Sequence, residues 1–228
     1  MSFIPPLEET NRVEAKSLSS LAVLAHWLLS VTMESWIRLR FGLIVVGSRK
    51  FPKPNHSFII ASNHTSFLDP PLLSSIARPR PVCYMAKQEL FRKWYARAFY
   101  HFMGTFSVNR EKLEIATIRS AKTILETGFW TLGIFPEGTR SLDGTVGKPK
   151  KGMAFLAKAT HAPVLPVGIY RPPKPLRNIV VVIGDMMRME GEESPDAFSD
   201  RIHGALVALR AEAESIWRQK HPRAFQER

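Results

Sequence analysis

Apolar and polar positions divide the chain into a strongly apolar beginning and a longer region in which short apolar runs alternate with amphipathic ones. From Ser17 to Met33 there is no Asp, Glu, Lys or Arg, and Leu21-Ala22-Val23-Leu24-Ala25 runs directly into His26-Trp27-Leu28-Leu29. That stretch falls short of the ~20 predominantly apolar residues of a spanning helix. After Glu34 apolar and basic residues alternate through Trp36-Ile37-Arg38-Leu39-Arg40-Phe41 into Leu43-Ile44-Val45-Val46. The pattern predicts two apolar helices joined near Thr32 to Ser35, with tryptophans and arginines at an interface, forming an anchor that enters one leaflet. The competing expectation is an ordinary helix buried on the domain.

Beyond residue 56 the alternation is regular. Ser57 to Ser62 is a β-rich run, and Asp69-Pro70-Pro71 opens a helix that Arg78-Pro79-Arg80-Pro81 breaks. Val82 to Ala86 and Thr105 to Val108 read as strands, Glu111 to Thr127 as a helix stopped by Gly128, and Trp130 to Phe135 as a buried strand. A loop rich in Gly and Lys, a helix over 153–161, strands over 164–170 and 178–184, and a long helix opened by Ser194-Pro195 complete the chain. Strands alternating with helices predict an α/β fold, a mixed β-sheet flanked by helices with an N-terminal apolar helical membrane-associating element. The expected organisation is residues 1–46 as membrane-associating helices and 47–228 as one catalytic domain.

The 228 residues carry a formal net charge of +12, which calls for an anionic partner: nucleic acid, anionic headgroups or a phosphorylated substrate. Gln88 to Met103 interleaves aromatic with basic side chains, a pattern suited to a lipid interface and also to stacking on single-stranded nucleic acid. A single cysteine, Cys83, excludes an intramolecular disulfide and suits a reducing compartment. Glu8, Glu9 and Glu14 precede the apolar stretch, unlike the basic start of a secretory signal, so export is not expected.

Candidate chemistry lies at strand ends. In Asn63-His64-Thr65-Ser66-Phe67-Leu68-Asp69 a carboxylate can fold back onto an imidazole and fix its tautomer, freeing the other ring nitrogen to take a proton from a hydroxyl. The alternative makes Asp69 simply the cap of the following helix. In Phe135-Pro136-Glu137-Gly138-Thr139-Arg140-Ser141, Gly138 permits a tight turn that presents amides, Arg140 offers a planar fork of donors for a phosphate, and Glu137 can orient that arginine or the turn. Arg110, after the third strand, offers a second positive contact. Lys148, Lys150 and Lys151 read as a solvated loop outside the site. Gly147-Lys148 is followed by Pro149 rather than Ser or Thr, so no Walker A loop is present, and neither a Gly-x-Ser-x-Gly elbow nor zinc-ligand spacing occurs.

With these residues in order, the chain resembles the glycerolipid acyltransferase family, in particular bacterial-type 1-acyl-sn-glycerol-3-phosphate acyltransferases. Four blocks carry the likeness: Asn63-His64 to Asp69, Gly104 to Arg110, Phe135 to Ser141, and Val164-Leu165-Pro166-Val167. Asn109 stands where the family often has an acidic residue. The resemblance implies transfer of an acyl group from acyl-CoA or acyl-carrier protein, as co-substrate and with no bound cofactor or metal, to the sn-2 hydroxyl of lysophosphatidic acid, giving phosphatidic acid. It makes His64 the general base and Asp69 its orienting partner, with Arg110 and the turn Glu137, Gly138, Thr139 and Arg140 on the acceptor phosphate. Direct attack without an acyl-enzyme follows, the oxyanion being met by backbone donors near the fourth block or near the start of the helix after Asp69. The expected partners are an anionic lipid and a membrane surface, with acyl-carrier protein as donor and no nucleic acid; the expected location is peripheral or monotopic on the cytoplasmic face. Other acceptors, glycerol 3-phosphate or another lysolipid, stay open, as does a non-enzymatic basic protein that binds nucleic acid or membrane.

Overall fold

A computed structural model describes residues 20–47, 56–102, 105–108, 115–141, 143–172 and 178–222. Among these residues seven strands form one sheet: β1 (Leu43–Val46), β2 (Ile59–Ser62), β3 (Val82–Lys87), β4 (Phe106–Val108), β5 (Thr131–Ile134), β6 (Val164–Tyr170) and β7 (Ile179–Ile183). Their spatial order is β1-β7-β6-β2-β5-β3-β4, parallel throughout except for the antiparallel pair β6–β7. The sheet is therefore mixed, as the alternation predicts.

Helices cover both faces, which is why β2, β5, β6 and β7 are buried along their whole length. Along β2 the side chains divide with the period of two: Ile59 and Ala61 join one core, Phe58 and Ile60 the other. The first core is closed by α4 (Ile115–Glu126), α5 (Gly152–Thr160) and α6 (Pro195–Lys220) through Ile124, Leu156, Phe198 and Ile202. The second is closed by α1 (Ser20–Phe41) and α2 (Asp69–Ile76) through Ile37, Leu72, Leu73 and Ile76. A 3-10 turn (Gln88–Phe91) and α3 (Trp94–Phe102) link β3 to β4. Ser194 caps α6, its hydroxyl accepting from the Ala197 amide.

The amino-terminal expectation is corrected in two respects. The predicted break near Thr32 to Ser35 does not exist, because α1 is one continuous helix through that stretch. Glu34 sits inside it, buried and ion-paired with Arg38 and with Arg78 at the end of α2, so the residue read as an interruption fastens the helix to the fold. Leu43 to Val46, read as part of a helix, is the edge strand β1, in parallel register with Ile179 to Val182 of β7. A four-residue apolar run fits either element, and pairing with a distant strand decides it. The expected boundary after residue 46 consequently cuts β1 off from the catalytic-domain sheet to which it belongs.

Candidate functional site

The central parallel strands deliver their carboxyl ends to one edge of the sheet, where α/β folds place their sites. β2 stops pairing at Ser62, and the buried side-chain amide of Asn63 takes over: its Nδ2 donates to the Ile169 carbonyl (2.9 Å) and its Oδ1 accepts from the Ile169 amide (2.8 Å). This mimic of a backbone pair fixes the point at which the chain leaves the sheet. His64 follows, its amide donating to Glu137 Oε1 (3.1 Å) and its carbonyl accepting from the Ser141 amide (2.8 Å). Its ring stacks on Phe135 with centroids 4.0 Å apart, and Nδ1 lies 3.0 Å from Asp69 Oδ2. With Nδ1 committed to the carboxylate, Nε2 is the nitrogen available to a substrate.

Asp69 is fully buried. The residue at the capping position of α2 is Leu68, with no side-chain cap, and Asp69 is the first residue of the helix itself. Its carboxylate turns back instead onto the loop, Oδ2 accepting from the amides of Thr65 and Ser66 at 2.6 Å each, while Oδ1 faces Arg171 at 3.4 Å. The same geometry occupies the start of α2, one of the two places open for the oxyanion donors. The amides of Thr65, Ser66, Leu68 and Asp69 are already engaged, and Pro70 and Pro71 have none to give.

The turn after β5 lies beside this loop. Gly138 adopts φ +69°, a left-handed conformation that suits glycine, and a Cβ there would meet the Lys150 side chain at 3.0 Å. The Lys150 amide donates to the Pro136 carbonyl (2.7 Å), strapping the basic loop over the turn. Arg140 stacks its guanidinium on the exposed ring of Phe67, 3.6 Å from the centroid, which leaves the edge of the fork free for an anion. Glu137 faces inward: besides the His64 amide its carboxyl accepts from the Gly147 amide, and burial pushes it above the ordinary glutamate range.

A cavity of about 1200 Å³ joins these parts. His64, Gly138, Thr139 and Arg140 line it, so the imidazole and the basic turn open onto one space. So do Lys150 and Lys151, which the pattern reading placed outside the site; Lys151 also pairs with Asp196 at 2.8 Å. The sequence gives these lysines no distinguishing mark, and only the strap onto Pro136 brings them in. Glu137, expected on the acceptor, does not line the cavity and serves the backbone of the loops. Arg110 and Asn109 lie outside the described residues. Behind the polar mouth the walls are apolar: Leu29 and Met33 of α1, Val82, Tyr84 and Met85 of β3, Ile118 of α4, Ile134 of β5 and Leu156 of α5. The helix read as an anchor thus supplies one wall. Arg171 is the member that pattern reading missed, since it contacts a residue 102 positions away and has no local signature. Cys83 is a buried free thiol whose ionisation burial opposes, and no group of His, Cys, Asp and Glu among the described residues is arranged to hold a metal ion.

Comparison with known proteins agrees with this geometry. The family described as acyltransferase matches residues 42–170, from β1 through β6. A 1-acyl-sn-glycerol-3-phosphate acyltransferase of Borreliella burgdorferi is 35% identical over 130 residues, covering 56% of this chain and 51% of that protein. One from Pseudomonas aeruginosa is 31% identical over 178 residues, 70% of this chain and 68% of the relative. The chain therefore spans between about half and two thirds of the length of these relatives. Among solved structures, the 1-acyl-sn-glycerophosphate acyltransferase of Thermotoga maritima superposes with a TM-score of 0.65 over 82% of this chain and 78% of that one, at 22% identity, which establishes the shared fold.

Proposed function

Since the chain belongs to the acyltransferase family, we propose that it moves an acyl group from an acyl thioester, acyl-CoA or acyl-carrier protein, to the sn-2 hydroxyl of 1-acyl-sn-glycerol 3-phosphate, forming phosphatidic acid for phospholipid synthesis. The observation that carries this reading is the shared cavity, lined by His64 with Asp69 behind it, by Arg140 and Lys150, and by apolar side chains from α1, β3, α4, β5 and α5 that suit an acyl chain. His64 Nε2 takes the proton of the acceptor hydroxyl as its oxygen attacks the thioester carbonyl carbon. The tetrahedral intermediate then collapses, the C–S bond breaks, and the imidazolium returns the proton to the leaving thiolate. Asp69 holds the ring in the required tautomer throughout. Arg140, Lys150 and the Thr139 amide hold the acceptor phosphate, the Gly138 amide being spent within the turn on the Phe135 carbonyl (3.0 Å), and no covalent enzyme intermediate forms.

The reading includes a peripheral or monotopic position at the cytoplasmic face of a membrane. No described helix is long and apolar enough to cross one. Support comes from apolar side chains left in solvent: Leu21, Leu24, Trp27 and Leu28 on α1, and Phe67, Leu90 and Phe155 on the cavity lining. An interfacial protein with a charge of +12 gains from both terms, apolar insertion and attraction to anionic headgroups. The test is a panel of lysophosphatidic acid, glycerol 3-phosphate and other lysolipids against both donor classes, with released thiol and product identity as readouts. Thiol release that depends on lysophosphatidic acid supports the reading. Turnover with glycerol 3-phosphate alone transfers the acceptor, and salt-dependent binding of single-stranded nucleic acid without turnover overturns it. Flotation with anionic vesicles tests the location in the same preparation.

A further inference from the structure

We infer that Arg171 is a positioning residue of this site, holding the Asp69 carboxylate from the side opposite His64 so that the imidazole keeps its orientation and its role as a base. The fold brings it there. β2 and β6 run parallel, with Ser62 opposite Val167, and the Asn63 amide extends that pairing by clamping Ile169, two residues before Arg171. The first residue after β6 is thereby set beneath the loop that leaves β2, with its Nη2 3.4 Å from Asp69 Oδ1. Among the described residues Asp69 is the acceptor that Arg171 reaches, and Arg171 takes no part in lining the cavity. It acts through Asp69 rather than on a substrate.

The physical requirement comes from burial. A carboxylate removed from water needs compensating charge as well as donors. When His64 is the neutral base, its own ring provides no charge, and the amides of Thr65 and Ser66 provide only dipoles. Arg171 is then the cation on the carboxylate. Without it the buried carboxylate is held only by the loop amides and the ring itself, and the imidazole loses the fixed partner that sets its orientation. Among the described residues the guanidinium Nε is buried and without a partner, so the side chain holds its position beside Asp69 at a cost in solvation.

The kinetic test rests on the acyl-transfer reading and uses the full chain with an acyl thioester and lysophosphatidic acid. Arg171→Met should lower kcat about 10- to 100-fold while leaving KM for both substrates within about twofold, and Arg171→Lys should restore most of the rate. In an Asp69→Asn background, where there is no buried charge to balance, Arg171→Met should cost no more than about twofold further. Fully additive losses, or an acceptor KM that rises at unchanged kcat, would overturn the inference. A second readout is independent of turnover: a downfield proton NMR resonance from the His64–Asp69 hydrogen bond, absent in His64→Ala, should be present in wild type and Arg171→Lys and lost in Arg171→Met. Its persistence in folded Arg171→Met contradicts the inference even if no acceptor is found, whereas wild type that shows the resonance but releases no thiol contradicts the functional reading alone. Arg171→Gln substitutes for Arg171→Met if the latter does not fold.

Discussion

A single methyl group placed at Gly133 tests how tightly the sheet holds the site. Gly133 lies in β5 between β2 and β3, and a Cβ there would fall 2.3 and 2.6 Å from two ring carbons of Tyr84 and 2.9 Å from Val82 Cγ1. Carbon atoms in contact sit about 3.5–4.0 Å apart, so the ring must retreat by about 1 Å or more. Its contacts resist that retreat. The Tyr84 hydroxyl donates to the Pro70 carbonyl (2.7 Å) and lies 3.2 Å from Ser74 Oγ, and its ring runs nearly parallel to Phe135, which stacks on His64. Overpacking of this kind costs about 1–3 kcal/mol, and for a chain of this size each kcal/mol lowers Tm by about 2–4 °C. Gly133→Ala should therefore melt about 2–12 °C below wild type, and a His64 displaced by a fraction of an ångström through Phe135 should lower kcat about tenfold or more. The matched control is Gly204→Ala in α6, where a Cβ meets nothing within 4 Å and helix propensity favours alanine by about 1 kcal/mol. Scanning calorimetry and a thiol-release assay read both effects. A Gly133→Ala protein that melts and turns over like wild type would refute the coupling from Tyr84 through Phe135 to the imidazole.

Other consequences are equally direct. Burial raises Glu137 above its ordinary value of 4.5, so between that value and its folded one the folded chain holds more protons than the unfolded chain, and stability falls as pH rises through the window. Denaturant unfolding from about pH 4 to 7 should show wild type losing stability relative to Glu137→Gln over that range, apart from a constant offset; a difference that grows in favour of wild type would contradict the sign. Arg140→Ala should raise the acceptor KM by about 10- to 100-fold, the value of a charged hydrogen bond, with Arg140→Lys between it and wild type and the donor KM unmoved. An unchanged acceptor KM in both variants would take Arg140 out of the phosphate site.

The order of strands and helices is legible because each run is long or cleanly bounded: Pro79 and Pro81 break the helix after Asp69, Gly128 stops α4, and Ser194 with Pro195 opens α6. The His64–Asp69 contact is legible too, since five residues of loop are enough for a carboxylate to return to a ring. What could not be read depends on distant partners. Leu43 to Val46 becomes a strand only because β7 lies beside it, and Glu34 is tolerated at a buried position of α1 because Arg38 and, from another element, Arg78 meet it. The same holds within the site. Glu137 faces His64 rather than the cavity, Lys150 joins through its amide bond to Pro136, and Arg171 arrives through strand pairing, none of which leaves a local mark in the sequence.

The central claim is that one imidazole, oriented by Asp69, deprotonates the acceptor. Thiol release by His64→Gln, measured with saturating acyl thioester and lysophosphatidic acid beside a melting curve that shows the variant folded, tests it most directly. The account predicts a rate reduced to the uncatalysed background with Tm close to that of wild type. A folded His64→Gln protein that still releases thiol at the wild-type rate would contradict it.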